Sequence, residues 1–186
     1  MRKHLFQSLC FVLMVLLLPS CEFKCNVGAS SDKDERGKKG SVVKQIGGAV
    51  VYNGIELESH EVKVRKAYLM FANGERVPAD NVIDFKQPVK LFIAIDSGWI
   101  EYENKVWLGA LERVTTDDGN LIMYEKDLFK DKYPDGISPK DARDLALSVS
   151  VSLEKNSGPG FVTISFTIWD KKGVGYIRGQ YRLYTN

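Results

Sequence analysis

The groups in this chain whose type and spacing could carry specific chemistry are few: three cysteines, two histidines and one stretch dense in acids. Cys21 and Cys25 have a C-x-x-x-C spacing that suits a metal, but no second ligand pair accompanies them. His4 lies in an apolar leader, which leaves His60 as the one imidazole of the remaining chain. Its neighbours Glu58, Ser59, Glu61 and Lys63 make it read as an exposed residue at the edge of a strand. The stretch from Asp117 to Asp144 carries Asp118, Glu125, Asp127, Asp131, Asp135 and Asp141. Calcium sites draw six to eight oxygens from such loops. Here Lys126, Lys130, Lys132, Lys140 and Arg143 interleave with the acids and the calcium-loop pattern is missing, so solvated mixed charge is the expectation. There is no GxSxG, no HExxH and no phosphate loop; Lys172-Gly173-Val174-Gly175 is too short for one. No catalytic residue, metal or cofactor is assigned from these groups.

The leader bears on the role of Cys21. Met1-Arg2-Lys3 is positively charged, Leu5 to Leu18 is apolar apart from Gln7 and Ser8, and small Ser20 precedes Cys21. Charged, apolar and small-residue regions in that order form an export signal, and the apolar run is shorter than the ~20 residues that span a bilayer. Leu18-Pro19-Ser20-Cys21 resembles the lipobox of bacterial lipoproteins, in which an apolar residue stands three before an obligatory cysteine. The resemblance covers residues 1–21 and implies that Cys21 is the lipidated first residue of the mature chain, with an anchor worth ~0.8 kcal/mol per buried methylene. It also implies an envelope location, at the outer membrane, with the side left open.

Residues 1–20 carry Arg2 and Lys3 and no acid, so of 26 basic residues 24 remain against 24 acidic ones. That neutrality argues against nucleic acid, whose binders need a clustered basic face. With Cys10 in the leader and Cys21 taken by lipid, Cys25 has no partner for a disulfide framework, and the domain must stand on its core. Residues 21–41, with Gly28-Ala29-Ser30-Ser31-Asp32-Lys33-Asp34-Glu35-Arg36, are too polar to offset their ordering entropy and read as a flexible tether.

Residues 42–186 have the size of one domain. Asn53-Gly54 between Val50-Val51-Tyr52 and Ile55-Glu56-Leu57 predicts a hairpin turn. Strands are predicted over Val62 to Phe71, around Val89 to Ile95, around Val106 to Ala110 and over Leu121 to Tyr124. The clearest alternation comes late: Leu145, Leu147, Val149, Val151 and Leu153; then Val162, Ile164, Phe166 and Ile168; then Ile177, Gly179, Tyr181 and Leu183. Short connections predict that these three runs form a meander. Seven or eight antiparallel strands at such spacing predict an all-β sandwich, with one helical turn near 139–143 where Ser138-Pro139 opens a cap. The run Asp141 to Leu147 is similar to the corner before the sixth strand of immunoglobulin-like domains, although Leu145 and Leu147 stand where that family has tyrosine and cysteine. Transthyretin-like sandwiches fit equally well.

Two surfaces are candidates for binding. Trp99, Tyr102 and Trp107 cluster after Ser97-Gly98, either as a platform for a sugar or a protein or as a plug at one end of the sandwich. A tight meander also places Arg178, Arg182, Thr163 and Thr167 on one polar face, with Ser148, Ser150 and Ser152 as its third column. The expected function is an envelope-anchored lipoprotein whose sandwich docks another protein. By plan of signal, tether and sandwich it resembles assembly subunits such as the docking lipoprotein of type VI secretion systems. The alternative is a glycan- or ligand-binding module using exposed Trp99, Tyr102 and Trp107; a carboxylate enzyme is a third reading.

Overall fold

The computed structural model describes residues 44–85, 88–150 and 160–185. The leader, Cys21, the tether and the predicted positions of Val151, Ser152 and Leu153 lie outside them.

The late alternation builds two long strands, β11 (Phe161–Asp170) and β12 (Tyr176–Tyr184), in the numbering used from here on. Val162, Ile164, Phe166 and Ile168 point inward and are buried, while the residues between them are half-exposed. The two strands pair antiparallel from Phe161 opposite Tyr184 to Trp169 opposite Tyr176, the register expected of a tight hairpin. They form the centre of a five-stranded sheet with β3 (Glu56–His60), β8 (Leu108–Thr116) and β9 (Leu121–Glu125), in the order β3-β12-β11-β8-β9. A second sheet holds β1 (Lys44–Ile46), β2 (Ala49–Val51), β4 (Lys63–Phe71), β5 (Val89–Ser97) and β10 (Asp144–Val149), ordered β1-β2-β4-β5-β10. Among the described strands only the β2–β4 pair is parallel. A short ribbon, β6 (Glu101–Tyr102) with β7 (Lys105–Val106), stands apart.

The chain is thus an all-β sandwich. Leu69, Leu91, Ile93 and Leu147 from one sheet and Ile164, Phe166, Ile168, Ile177 and Leu183 from the other fill the interior. The described strands number twelve rather than seven or eight, because pieces of two or three residues (β1, β2, β6, β7) are too short to show a period in sequence. The helical turn is a single 3-10 turn at Asp141–Arg143, and Ser138 caps it by accepting the Asp141 N–H at 3.1 Å.

Two pairings differ from expectation. β10 pairs with β5 across the core from β11, so the three late strands are not a meander. Alternation reports only that one face of a strand is buried; a strand facing the core from the opposite sheet has the same pattern. Likewise Asn53-Gly54 is a tight turn, with Ile55 N–H bonded to Tyr52 C=O and φ of 57° and 58°, yet it joins β2 of one sheet to β3 of the other. Buried Asn53 explains the corner. Its amide donates to Val77 C=O, Pro78 C=O and Asn81 Oδ1, and its Oδ1 accepts the Leu69 N–H. Asn81 answers by donating to Asn53 C=O and Arg182 C=O. The two asparagines form a clasp between the sheets.

Candidate functional site

The polar face predicted from the late strands exists, with different neighbours. Thr163 lies opposite Arg182, Ser165 opposite Gln180 and Thr167 opposite Arg178, so all six share the outer face of the β3–β9 sheet. The third column is supplied by β8, whose Thr115, Arg113 and Leu111 flank Thr163, Ser165 and Thr167. Ser148 is instead opposite Lys90 in the other sheet, and Ser150 falls beyond β10. On the far side β3 adds Glu56 and Glu58.

Those two acids change the electrostatics. Arg178 donates from Nε to Glu58 Oε2 and from Nη2 to Oε1, both at 3.0 Å, and Tyr176 donates its hydroxyl to the same carboxylate. The hydrogen bonds from Arg178 and then Tyr176 hold the Glu58 carboxyl below its usual range, and Glu58 in turn raises Arg178. Gln180 donates to Glu56 at 2.7 Å. A depression of about 450 Å³ lies among Glu56, Glu58, Ser165, Thr167, Arg178 and Gln180, where Gly179 contributes no side chain. Its aromatic ends are as expected: Trp169 with Tyr176 and stacked His60 at one, Phe161 with Tyr184 and Arg182 at the other. This face is hydroxyl-lined; Glu58 neutralises Arg178 at its centre, while Arg182 lies 5.0 Å over the Phe161 ring.

The aromatic cluster after Gly98 behaves as a plug. Trp99 is half-buried and donates its indole N–H to Ala142 C=O at 3.2 Å. Trp107 is also half-buried, and its Nε1 has no hydrogen-bond partner among the described residues. Only Tyr102 is open, and Lys172 places its ammonium 5.5 Å from both the Tyr102 and Trp107 rings. The turn that carries Lys172 is fixed by buried Asp170, which accepts N–H groups from Ile100, Lys172 and Gly173. The indoles therefore do not form the exposed, coplanar platform that a sugar would need.

The acids of 117–144 have local tasks. Asp118 bonds Thr116 and Asn120, and the Thr116 hydroxyl lowers its pKa. Asp127 pairs with Lys171 at 2.7 Å and accepts the Ala110 and Phe129 N–H groups; burial pushes its carboxyl up, but those bonds outweigh it and leave it low. Among the described residues no three acids, histidines or cysteines gather as a metal cage.

Two features escaped the sequence reading. Glu112 is fully buried between the sheets, neither of its oxygens has a partner among the described residues, and burial raises its pKa to about 7. The hydroxyl of Tyr181 is equally buried and unpartnered, and is raised by burial and then by the Glu112 charge. The signal for Glu112 was present, since it stands in phase with inward Leu108, Ala110 and Val114. The second feature is the edge position and exposure of β9, whose strand is itself predicted by the sequence. This edge strand leaves Leu121, Ile122 and Tyr124 57%, 41% and 46% exposed, the densest run of open apolar side chains among the described residues.

No family model matches the chain, and no curated protein matches it. Among solved structures it is similar to the crystal structure of the C-terminal domain of wzt, with a TM-score of 0.42 and 13% identity over 72% of this chain and 78% of that one.

Proposed function

We propose that this chain is an envelope lipoprotein, anchored through Cys21, whose β-sandwich docks another protein along the β9 edge. The observation that carries the reading is the exposure of Leu121, Ile122 and Tyr124 on a strand that is at the edge of its sheet among the described residues. Edge strands of folded domains are normally shielded by charge, proline or a covering element, and an apolar open edge is a site for strand addition. Half-burial of Trp99 and Trp107 favours this reading over the aromatic sugar platform.

The anchor and the dock are tested separately. Cys21→Ser removes the thiol that accepts lipid, so acylation should vanish and the protein should leave the detergent phase; retention there overturns the anchor. A photo-cross-linking residue at position 122 or 124 should give a discrete protein adduct in envelopes, and one at Ala146 should not. Absence of an adduct at both edge positions, or an identical one at 146, overturns the dock.

A further inference from the structure

The outer face of the other sheet carries a cluster drawn from four separate segments. Tyr68 and Phe92 lie opposite each other on β4 and β5 with ring centroids 4.8 Å apart. Arg76 stacks its guanidinium 3.5 Å over Tyr68 and 5.1 Å from Tyr52. Lys66 places its ammonium 5.5 Å from Tyr52 and 5.4 Å from Tyr68. Lys90 shares the face, two residues before Phe92 and opposite Met70. None of Lys66, Arg76 and Lys90 has a carboxylate within ion-pair distance among the described residues. The acids on this face, Asp96 and Asp144, are turned to Arg65. A ring attracts a cation through its quadrupole but carries no net charge, so three full positive charges remain directed outward.

We propose that this face binds an acidic polysaccharide, a polymer of sugar rings bearing carboxylates. Such a polymer repeats a carboxylate along its length, and the cluster offers Lys66 and Arg76, held in place by the Tyr52 and Tyr68 rings, with Lys90 beside them. Arg76, held flat on Tyr68, keeps the edge of its guanidinium available for a bidentate carboxylate. An anionic bilayer suits the face less well. Its rings are half-buried beneath their cations rather than protruding, and the exposed large apolar side chains (Ile100, Tyr102, Leu121, Ile122, Tyr124, Val174) belong to other parts of the sandwich. The inference is independent of the β9 dock, which is on the opposite sheet.

Binding of the full-length protein in detergent to oligogalacturonate tests it, with dihexanoyl phosphatidylglycerol as competitor. The formal net charge is only +2, so the overall field contributes little. Replacing Lys66, Arg76 and Lys90 together by Gln should weaken binding about tenfold or more at low salt. Removing equal charge elsewhere, with Lys130→Gln, Lys132→Gln and Lys140→Gln at exposed positions, should leave it unchanged. Tyr68→Leu, which keeps every charge, should also weaken it. Melting curves of each variant confirm that it is folded. Equal losses in the two triple variants, no effect of Tyr68→Leu, or stronger binding of the phospholipid than of the oligosaccharide each overturn the proposal.

Discussion

The centres of the two outer faces of the sandwich hold their cations in different ways. On the β3–β9 sheet Arg178 is gripped by Glu58, so the pair is nearly invisible to anything a few ångströms away. On the other sheet Lys66 and Arg76 rest on tyrosine rings. Both arrangements hold a long side chain flat, yet only the carboxylate cancels its charge. Two sheets of equal strand number thus present one hydroxyl-lined surface whose central arginine is neutralised and one surface whose cations rest on rings and keep their charge.

The comparison rests on a shared core, and its largest test is there. Phe166 is 1% exposed between the two sheets. Phe166→Ala should cost ~3–5 kcal/mol in denaturant unfolding; a near-zero change would mean that the two faces are not backed by one packed interior.

Next comes the charge inside that core. Glu112 is raised from an ordinary 4.5 to about 7, so the native state keeps a proton that the unfolded chain releases. The contribution of Glu112 to stability should be full below about pH 4.5, fall as pH rises toward 7 and level off above it, a loss of about 3 kcal/mol. Glu112→Gln should flatten that slope in melts taken from pH 4 to 8.

A smaller change tests how Arg178 is silenced. A Cβ on Gly179 would overlap Glu56 C=O on β3 and the Phe166 ring. Gly179→Ala should cost about 1–3 kcal/mol and loosen β3, so that amide exchange rises across Glu56–His60 and the Arg178–Glu58 pair weakens. Normal protection of β3 would show that the sheet edge absorbs the methyl group.

The smallest expected effect is that of Arg178→Ala with Arg182→Ala. Both side chains are exposed, and exposed ion pairs contribute little, so the melting temperature should hardly move. A partner captured less well by this variant would place the dock on the hydroxyl face instead of at β9.

How far these surfaces were legible in sequence follows from the range of each signal. The period of two in Phe161–Asp170 and Tyr176–Tyr184 fixed strand, face and register, because a short turn joins them and local geometry decides. The same period in Leu145–Val149 could not reveal its sheet, since a strand that faces the core from either sheet alternates alike. Thr163, Thr167, Arg178 and Arg182 were placed on one face correctly, but Glu58, which determines what Arg178 can do, lies 120 residues away. The Tyr52–Lys66–Tyr68–Arg76–Phe92 cluster has no sequence signature. Its members are ordinary strand and turn residues until β4 and β5 pair.

That same separation governs the order in which the molecule can be completed. β3 has one pairing partner among the described strands, β12, and the asparagine clasp also closes on β12 through the Arg182 carbonyl. A chain emerging from the ribosome N-first must therefore hold Glu56–His60 unpaired while more than a hundred residues follow. Such distant contacts pay loop-closure entropy before they reward it, which slows folding. The early sheet, built largely from β2, β4 and β5, can assemble while the later one waits. Until β12 arrives, the apolar side of the early sheet is a surface that a holding chaperone would have to cover.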